Sequence, residues 1–225
     1  MLALVNDQPP YFADDLEPDE DGLVAIGGAL TVDVLLEAYA KGIFPWTGAY
    51  PIPWCSPDPR LVLLPEQFRT SRSLRRVIRS GRFEVRWDTD FAAVLDGCAK
   101  TPRRREVGTW ITHNVVSAYS ELFDLGVAHS VEVYDRGGAL AGGLYGLNFG
   151  RAFFGESMFA RADDASKVAL AALCDRLVEW RYHFIDCQQV TTHLMSLGAV
   201  PIARSAFLER LRAALAFPSR HERWS

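Results

Sequence analysis

The sequence predicts an α+β fold: a small N-terminal α/β module over residues 1–62, then a domain over 63–225 with a mainly antiparallel sheet flanked by helices. Two observations predict it. Segments 130–134, 140–149 and 151–159 read as three successive strands, with Asp135-Arg-Gly-Gly138 a strong hairpin turn between the first two. The long amphipathic stretch 165–180 then leads into the short buried run 183–187, a helix feeding a strand.

The remaining elements follow in chain order. Thr31 can cap a helix running to about Lys41, with Leu35, Leu36 and Tyr39 on one side and Gly42 as its stop. Residues 42–60 are rich in Pro and Trp and cannot be regular helix. Helices are expected at 71–80, 88–98 and 112–125, the first ended by Gly81 and the last by Gly126, with a strand at 83–87. Asp164 can cap the 165–180 helix, and a helix at 205–215 closes the series. No internal repeat is evident.

Composition narrows the class. Of 225 residues, 49% are hydrophobic and 23% charged, which excludes a disordered, collagen-like or low-complexity chain. The longest apolar runs, 61–64 and 168–173, fall far short of the roughly 20 residues a membrane span needs. The first residues lack the basic flank and apolar core of a signal peptide. Cys55, Cys98, Cys174 and Cys187 lie far apart with no C-x-x-C pairing, so a reduced cytoplasmic enzyme without a membrane partner is expected.

Net charge is only −4, but its distribution is uneven. Residues 14–21 are acidic throughout their charged positions. Residues 69–86 hold seven arginines against the single Glu84, and Arg72, Arg75, Arg76 and Arg79 recur at helical spacing. Arg103, Arg104 and Arg105 form a second basic knot. Such a stripe is either a solvated face or the footprint of a polyanion met through its phosphates.

Two carboxylates stand out by their surroundings. Glu156 lies in Phe153-Phe-Gly-Glu-Ser-Met-Phe159 and Asp186 in Phe184-Ile-Asp-Cys-Gln188. A carboxylate inside an apolar strand is costly unless paired or functional, so each is either an ion-pair partner of an arginine or part of a site. Asp186 and Gln188 are two apart and on a strand project to one face, where a proton-shuttling or amine-orienting pair is expected. Cys187 faces away from Asp186, against a cysteine–histidine nucleophile, and the histidines show no ligand spacing for a metal. The glycines of 137–155 form no nucleotide-cradling motif. Trp46, Trp54 and Trp110 could stack on a nucleobase or simply fill the core.

Taken together, Gly42-Ile-Phe-Pro-Trp46, Trp54-Cys-Ser-Pro-Asp-Pro-Arg60, Gly108-Thr-Trp-Ile-Thr112, Ala128-His-Ser-Val-Glu132, Gly142-Gly-Leu-Tyr-Gly146, Phe154-Gly-Glu-Ser-Met-Phe159, Ala165-Ser-Lys167, Ile185-Asp-Cys-Gln188 and Ser196-Leu-Gly-Ala199 resemble the leucyl/phenylalanyl-tRNA–protein transferases. The series runs in family order from about residue 22 to 207. The resemblance implies a GNAT-like acyltransferase domain. It also implies a reaction: Leu or Phe, and sometimes Met, moves from aminoacyl-tRNA to the α-amino group of a protein beginning with Arg or Lys. The product would enter the bacterial N-end rule degradation pathway.

The same resemblance assigns roles. Gln188 would contact the attacking amine, Asp186 would polarise Gln188, and Glu156 would bind the cationic N-terminal residue. Trp46 and Trp110 would hold the terminal adenosine, while Leu144, Phe153 and Met158 would line the pocket for the amino-acid side chain. No cofactor or metal is implied, and a monomer is expected. Arg72, Arg75, Arg76, Arg79, Arg103, Arg104 and Arg105 are candidates for acceptor-stem phosphates on charge pattern alone. Leu144, Ala160 and Leu173 depart from the family's usual Met, Ser and aromatic residue, which bears on donor preference. Two rival readings are an acetyl-CoA-dependent GNAT acetyltransferase and a non-catalytic RNA-binding module. Against the first, Arg161-Ala-Asp-Asp-Ala165 puts two acidic residues where a pyrophosphate would sit.

Overall fold

The structure, a computed structural model, describes residues 3–101 and 109–225. It is α+β, with two mainly antiparallel sheets. In the smaller, β1 (Ala3–Leu4), β2 (Leu23–Ile26), β3 (Phe44–Pro45) and β4 (Pro53–Cys55) take the order β1-β2-β4-β3. Against it lies α1 (Val32–Ala40), whose Thr31 hydroxyl accepts from Val34 N–H at 3.4 Å. Gly42 then turns the chain at φ +73°, where a Cβ would lie 2.8 Å from side-chain carbons of Phe207 and Leu208. Only glycine meets both demands at this helix stop.

The larger sheet has seven strands. They are β5 (Arg60–Leu63), β6 (Phe83–Trp87), β7 (Ala128–Asp135), β8 (Leu140–Phe149), β9 (Ala152–Ala160), β10 (Phe184–Gln188) and β11 (Val200–Ile202). Their order is β11-β5-β10-β9-β8-β7-β6, and within this sheet the β9–β10 pair alone is parallel among the described strands. The parallel pair is joined by α5 (Ala165–Glu179), the crossover that such pairing requires. The division expected at residue 62 falls inside β5, between β10 and β11.

Adjacent residues of the strands feed two cores, as a period of two demands. Tyr145, Leu147 and Phe154 join Phe12, Val34, Tyr39 and Trp54 of the N-terminal part. Leu144, Phe153, Val131 and Val133 pack instead with α5 and with Trp224. Around these lie α2 (Arg72–Arg79), α3 (Phe91–Lys100), α4 (His113–Asp124), α6 (Thr192–Ser196) and α7 (Arg204–Leu215).

Three local departures from expectation have physical causes. The helix expected from residue 88 begins at Phe91, because Asp88 is left-handed (φ +50°) and its carboxylate is drawn elsewhere. It bonds His129 Nδ1 at 2.7 Å and accepts the N–H groups of Ser130 and Trp224 at 2.7 and 2.8 Å; Asp90 caps α3 instead. Asp164 stands at the start of α5 but is left-handed (φ +68°) and makes no capping bond, pairing with Lys167 at 2.8 Å. The short elements β1, β3, β11 and α6 are too brief to show a period.

Candidate active site

The parallel pairing of β9 and β10 runs from Phe184↔Ala152 to Asp186↔Phe154 and stops there. Both strands carry a bulge at that point. In β9, Glu156 is the extra residue between the Tyr145↔Ser157 and Gly146↔Gly155 partners. In β10, Cys187 is the extra residue between Asp186↔Val62 and Gln188↔Leu61. Paired bulges end a ladder and re-aim side chains. Glu156 and Gln188 meet just beyond the end of the β9–β10 ladder.

Their contact is direct: Gln188 Nε2 donates to Glu156 Oε1 at 2.9 Å. The other carboxylate oxygen accepts from Tyr119 Oη at 3.1 Å, and Tyr119 shares a 2.6 Å hydrogen bond with Tyr39 Oη. Both tyrosines are fully buried, while Glu156 and Gln188 are half-buried. Desolvation pushes the Glu156 carboxyl up to about 8, outweighing the hydrogen bonds from Tyr39 and Tyr119 that favour its charged form. The same burial raises both tyrosines well above the ordinary phenol value, so they stay protonated donors.

Asp186 has a different environment. Its carboxylate is fully buried and clasped by Arg60: Nε to Oδ1 at 2.9 Å and Nη2 to Oδ2 at 2.6 Å. Gln188 is not turned toward it by strand alternation, since the bulge intervenes and Gln188 has φ +62°. The link is through the backbone, Gln188 N–H donating to Asp186 Oδ1 at 2.9 Å. Asp186 therefore does not touch the Gln188 amide side chain, contrary to the simple alternation argument.

Of the two tryptophans, Trp110 lies on the tyrosine side. Trp110 packs edge-on against Tyr119 with ring centroids 6.2 Å apart. The loop after the half-exposed Trp46 reaches Trp110 through Gly48 N–H to Trp110 O at 3.4 Å. Leu144 and Met158 are cross-strand partners and share the α5-side core with Phe153, on the opposite face of the sheet from Tyr39 and Tyr119. The structure thus joins Glu156, Gln188, Asp186 and the Trp110 side in one constellation. The apolar trio lies across the sheet from it. Cys187 is half-buried and desolvation raises its thiol, so it is no ready nucleophile.

Sequence reasoning missed Arg60, Tyr39 and Tyr119. Arg60 had a signal: a carboxylate in an apolar strand demands a cation, and Arg60 ends an otherwise uncharged stretch broken only by Asp58. Tyr39 showed only as part of an apolar helix face.

The basic stripe is α2. Ser71 caps it by accepting Leu74 N–H at 3.1 Å, and Leu74 is its buried anchor. Arg72, Arg75, Arg76 and Arg79 are all exposed, line a shallow concavity with Ser80, and have no ion-pair partner among the described residues. Arg103, Arg104 and Arg105 lie outside the described residues. Among the described residues no helix is long and apolar enough to cross a membrane.

Comparison with known proteins adds to this geometry. The model of the family described as leucyl/phenylalanyl-tRNA protein transferase matches residues 62–212, and the model of that family's N-terminal domain matches 28–58. A protein of Dechloromonas aromatica (strain RCB) named leucyl/phenylalanyl-tRNA–protein transferase is 52% identical over 208 residues, 92% of this chain and 88% of its own length. One of the same name from Nitratidesulfovibrio vulgaris (strain DP4) is 50% identical over 224 residues, covering 99% and 95%. A crystal structure of a conserved protein of unknown function from Bacteroides thetaiotaomicron overlays at TM-score 0.47 and 12% identity over 61% of this chain and 53% of that one, a likeness too slight to bear on function.

Proposed function

Because the chain belongs to the leucyl/phenylalanyl-tRNA–protein transferase family, an enzyme class that carries an aminoacyl group from tRNA to protein, we propose that its acceptors are proteins with N-terminal Arg or Lys and its donors Leu-, Phe- and Met-tRNA. The product enters the bacterial N-end rule pathway, and the enzyme works in the cytoplasm as a monomer. Residues 63–225 form the catalytic unit, and 1–62 a small unit contributing Trp46. One observation carries the acceptor reading: a carboxyl pushed up to about 8, held between buried phenols and an amide at the point where two strands part.

That carboxyl suits a cationic guest. In the free enzyme at neutral pH it carries a proton, which spares the crevice an unpaired buried charge. An arriving Arg or Lys residue displaces the proton and pairs with the carboxylate. The α-amine, with an ordinary pKa of about 7.7–8.0, loses its proton readily at neutral pH and is oriented by Gln188. Its nitrogen attacks the ester carbonyl; the new N–C bond forms as the C–O bond to the ribose breaks, and the ribose hydroxyl takes up a proton. The ester is already activated, so alignment supplies most of the acceleration, on the order of 7–11 kcal/mol in favourable cases. Trp46 and Trp110 stack on the terminal adenosine. Leu144, Phe153 and Met158 receive the acyl side chain on the α5 side of the sheet, disfavouring β-branched donors by about 1–3 kcal/mol. The α2 arginines meet the acceptor stem.

The decisive assay offers Leu-, Phe- and Met-tRNA to peptides beginning with Arg, Lys, Asp or Glu. Label on the Arg and Lys peptides only is the expected outcome. Equal labelling of the Asp and Glu peptides would sink the acceptor assignment.

A further inference from the structure

Asp186 is sealed within the protein. Its side chain is 0% exposed, and its oxygens are committed to Arg60 Nε and Nη2 and to the Gln188 N–H. Arg60 is equally sealed, at 0%, and its guanidinium lies over the rings of Phe44 (4.8 Å) and Phe207 (4.4 Å). One buried pair therefore ties β5 and β10 together while β3 and α7 close around it. Arg60 Nη1 is buried without a hydrogen-bond partner. A buried pair that leaves such a donor unmet is a poor stabiliser compared with apolar filling, which points to geometry as its purpose.

The geometry in question is that of Gln188. Past Asp186 the β10 register slips and Gln188 is left-handed at φ +62°, a conformation that a residue with a side chain holds only when its surroundings over-determine it. The bond from Gln188 N–H to Asp186 Oδ1 supplies that constraint, and from this backbone the amide reaches Glu156. We propose that Arg60 is a positioning residue for transfer: it locks Asp186 by a two-pronged bond, Asp186 locks the Gln188 backbone, and Gln188 with Glu156 meets the amine. Asp186 acts from behind and does not receive the amine's proton itself. This rests on the reading of Gln188 and Glu156 as the amine-contacting pair. Lysine cannot replace the fork, because a single ammonium lacks its planar pair of donors.

The test uses the full chain with Arg60→Lys, Asp186→Asn and their double variant. Transfer of Leu from Leu-tRNA to an Arg-starting peptide is followed alongside the backbone amide resonance of Gln188 in the 15N-labelled protein. Each single variant should lose about 10²-fold in kcat, the scale of a misplaced reacting group. KM for both substrates should hold within about twofold, and the double variant should lose no more than the worse single one. The Gln188 amide proton should move upfield in all three as its carboxylate bond weakens, with the α2 resonances unmoved. Wild-type kcat in Arg60→Lys, an unmoved Gln188 amide, or losses that multiply would overturn the proposal. Should Arg60→Lys not fold, Asp186→Asn reads the same quantities. A wild-type protein that transfers nothing would sink the underlying acceptor reading, while the Gln188 resonance would still decide the positioning claim.

Discussion

Glu156 shows how one residue can be tuned by opposing forces. Desolvation raises its carboxyl, the phenols of Tyr39 and Tyr119 draw it back, Asp186 repels its charge and Arg60 attracts it; desolvation wins, at about 8. Two consequences are measurable. At pH 7 the free protein keeps this carboxyl mostly protonated. Calorimetry of an Arg-starting peptide in two buffers of different ionisation enthalpy should therefore show more proton release on binding to the wild type than to Glu156→Gln, by close to one proton. The second concerns stability. The folded value lies above the unfolded one, so this contribution is fully present below about 4.5 and is lost as pH rises through about 8. Denaturant titrations should find the wild type losing more stability than Glu156→Gln between pH 5 and 9; equal losses would refute the assignment. Glu156 and Asp186 were both legible in sequence, because acids embedded in apolar strands are conspicuous. What they pair with was not, since Arg60 lies 126 positions from Asp186 and nothing local announces it.

Among elements, long periodic ones were readable and exceptions to periodicity were not. The helices with Thr31, Gly81 and Gly126 as punctuation, and the hairpin at Asp135–Gly138, form within a residue or two of where the chemistry of caps and turns puts them. The paired bulges could not be foreseen, because a bulge is decided by partner strands, not by the strand itself. The C-terminus of α5 offers a clean test of local rules. Arg181 N–H bonds Val178 O and Tyr182 N–H bonds Leu177 O, a Schellman ending that places the exposed Arg181 at φ +60°. Glycine avoids the steric cost of that conformation but loses more chain entropy on folding. Arg181→Gly should therefore raise stability by about 0.5–1 kcal/mol. Thermal melting checks it; a lower Tm would refute the reading.

At the level of the whole molecule, a chain of net charge −4 presents on one short helix four exposed arginines with no ion-pair partner among the described residues. If that face meets tRNA phosphates, replacing Arg76 and Arg79 by alanine should lower the slope of log affinity against log salt by about 1 to 2, with peptide KM untouched. An unchanged slope would leave α2 a solvated face. The sheet order carries a further consequence. Strand β5, from the first third of the chain, is held between β10 and β11 from the last quarter, so the clasp between Arg60 and Asp186 closes only when distant parts have come together. A nascent polypeptide still missing its final segments has Glu156 and both phenols but no clamp to aim Gln188. Competence would then arrive abruptly, late in synthesis, and a half-made copy on the ribosome could not append residues to neighbouring nascent proteins.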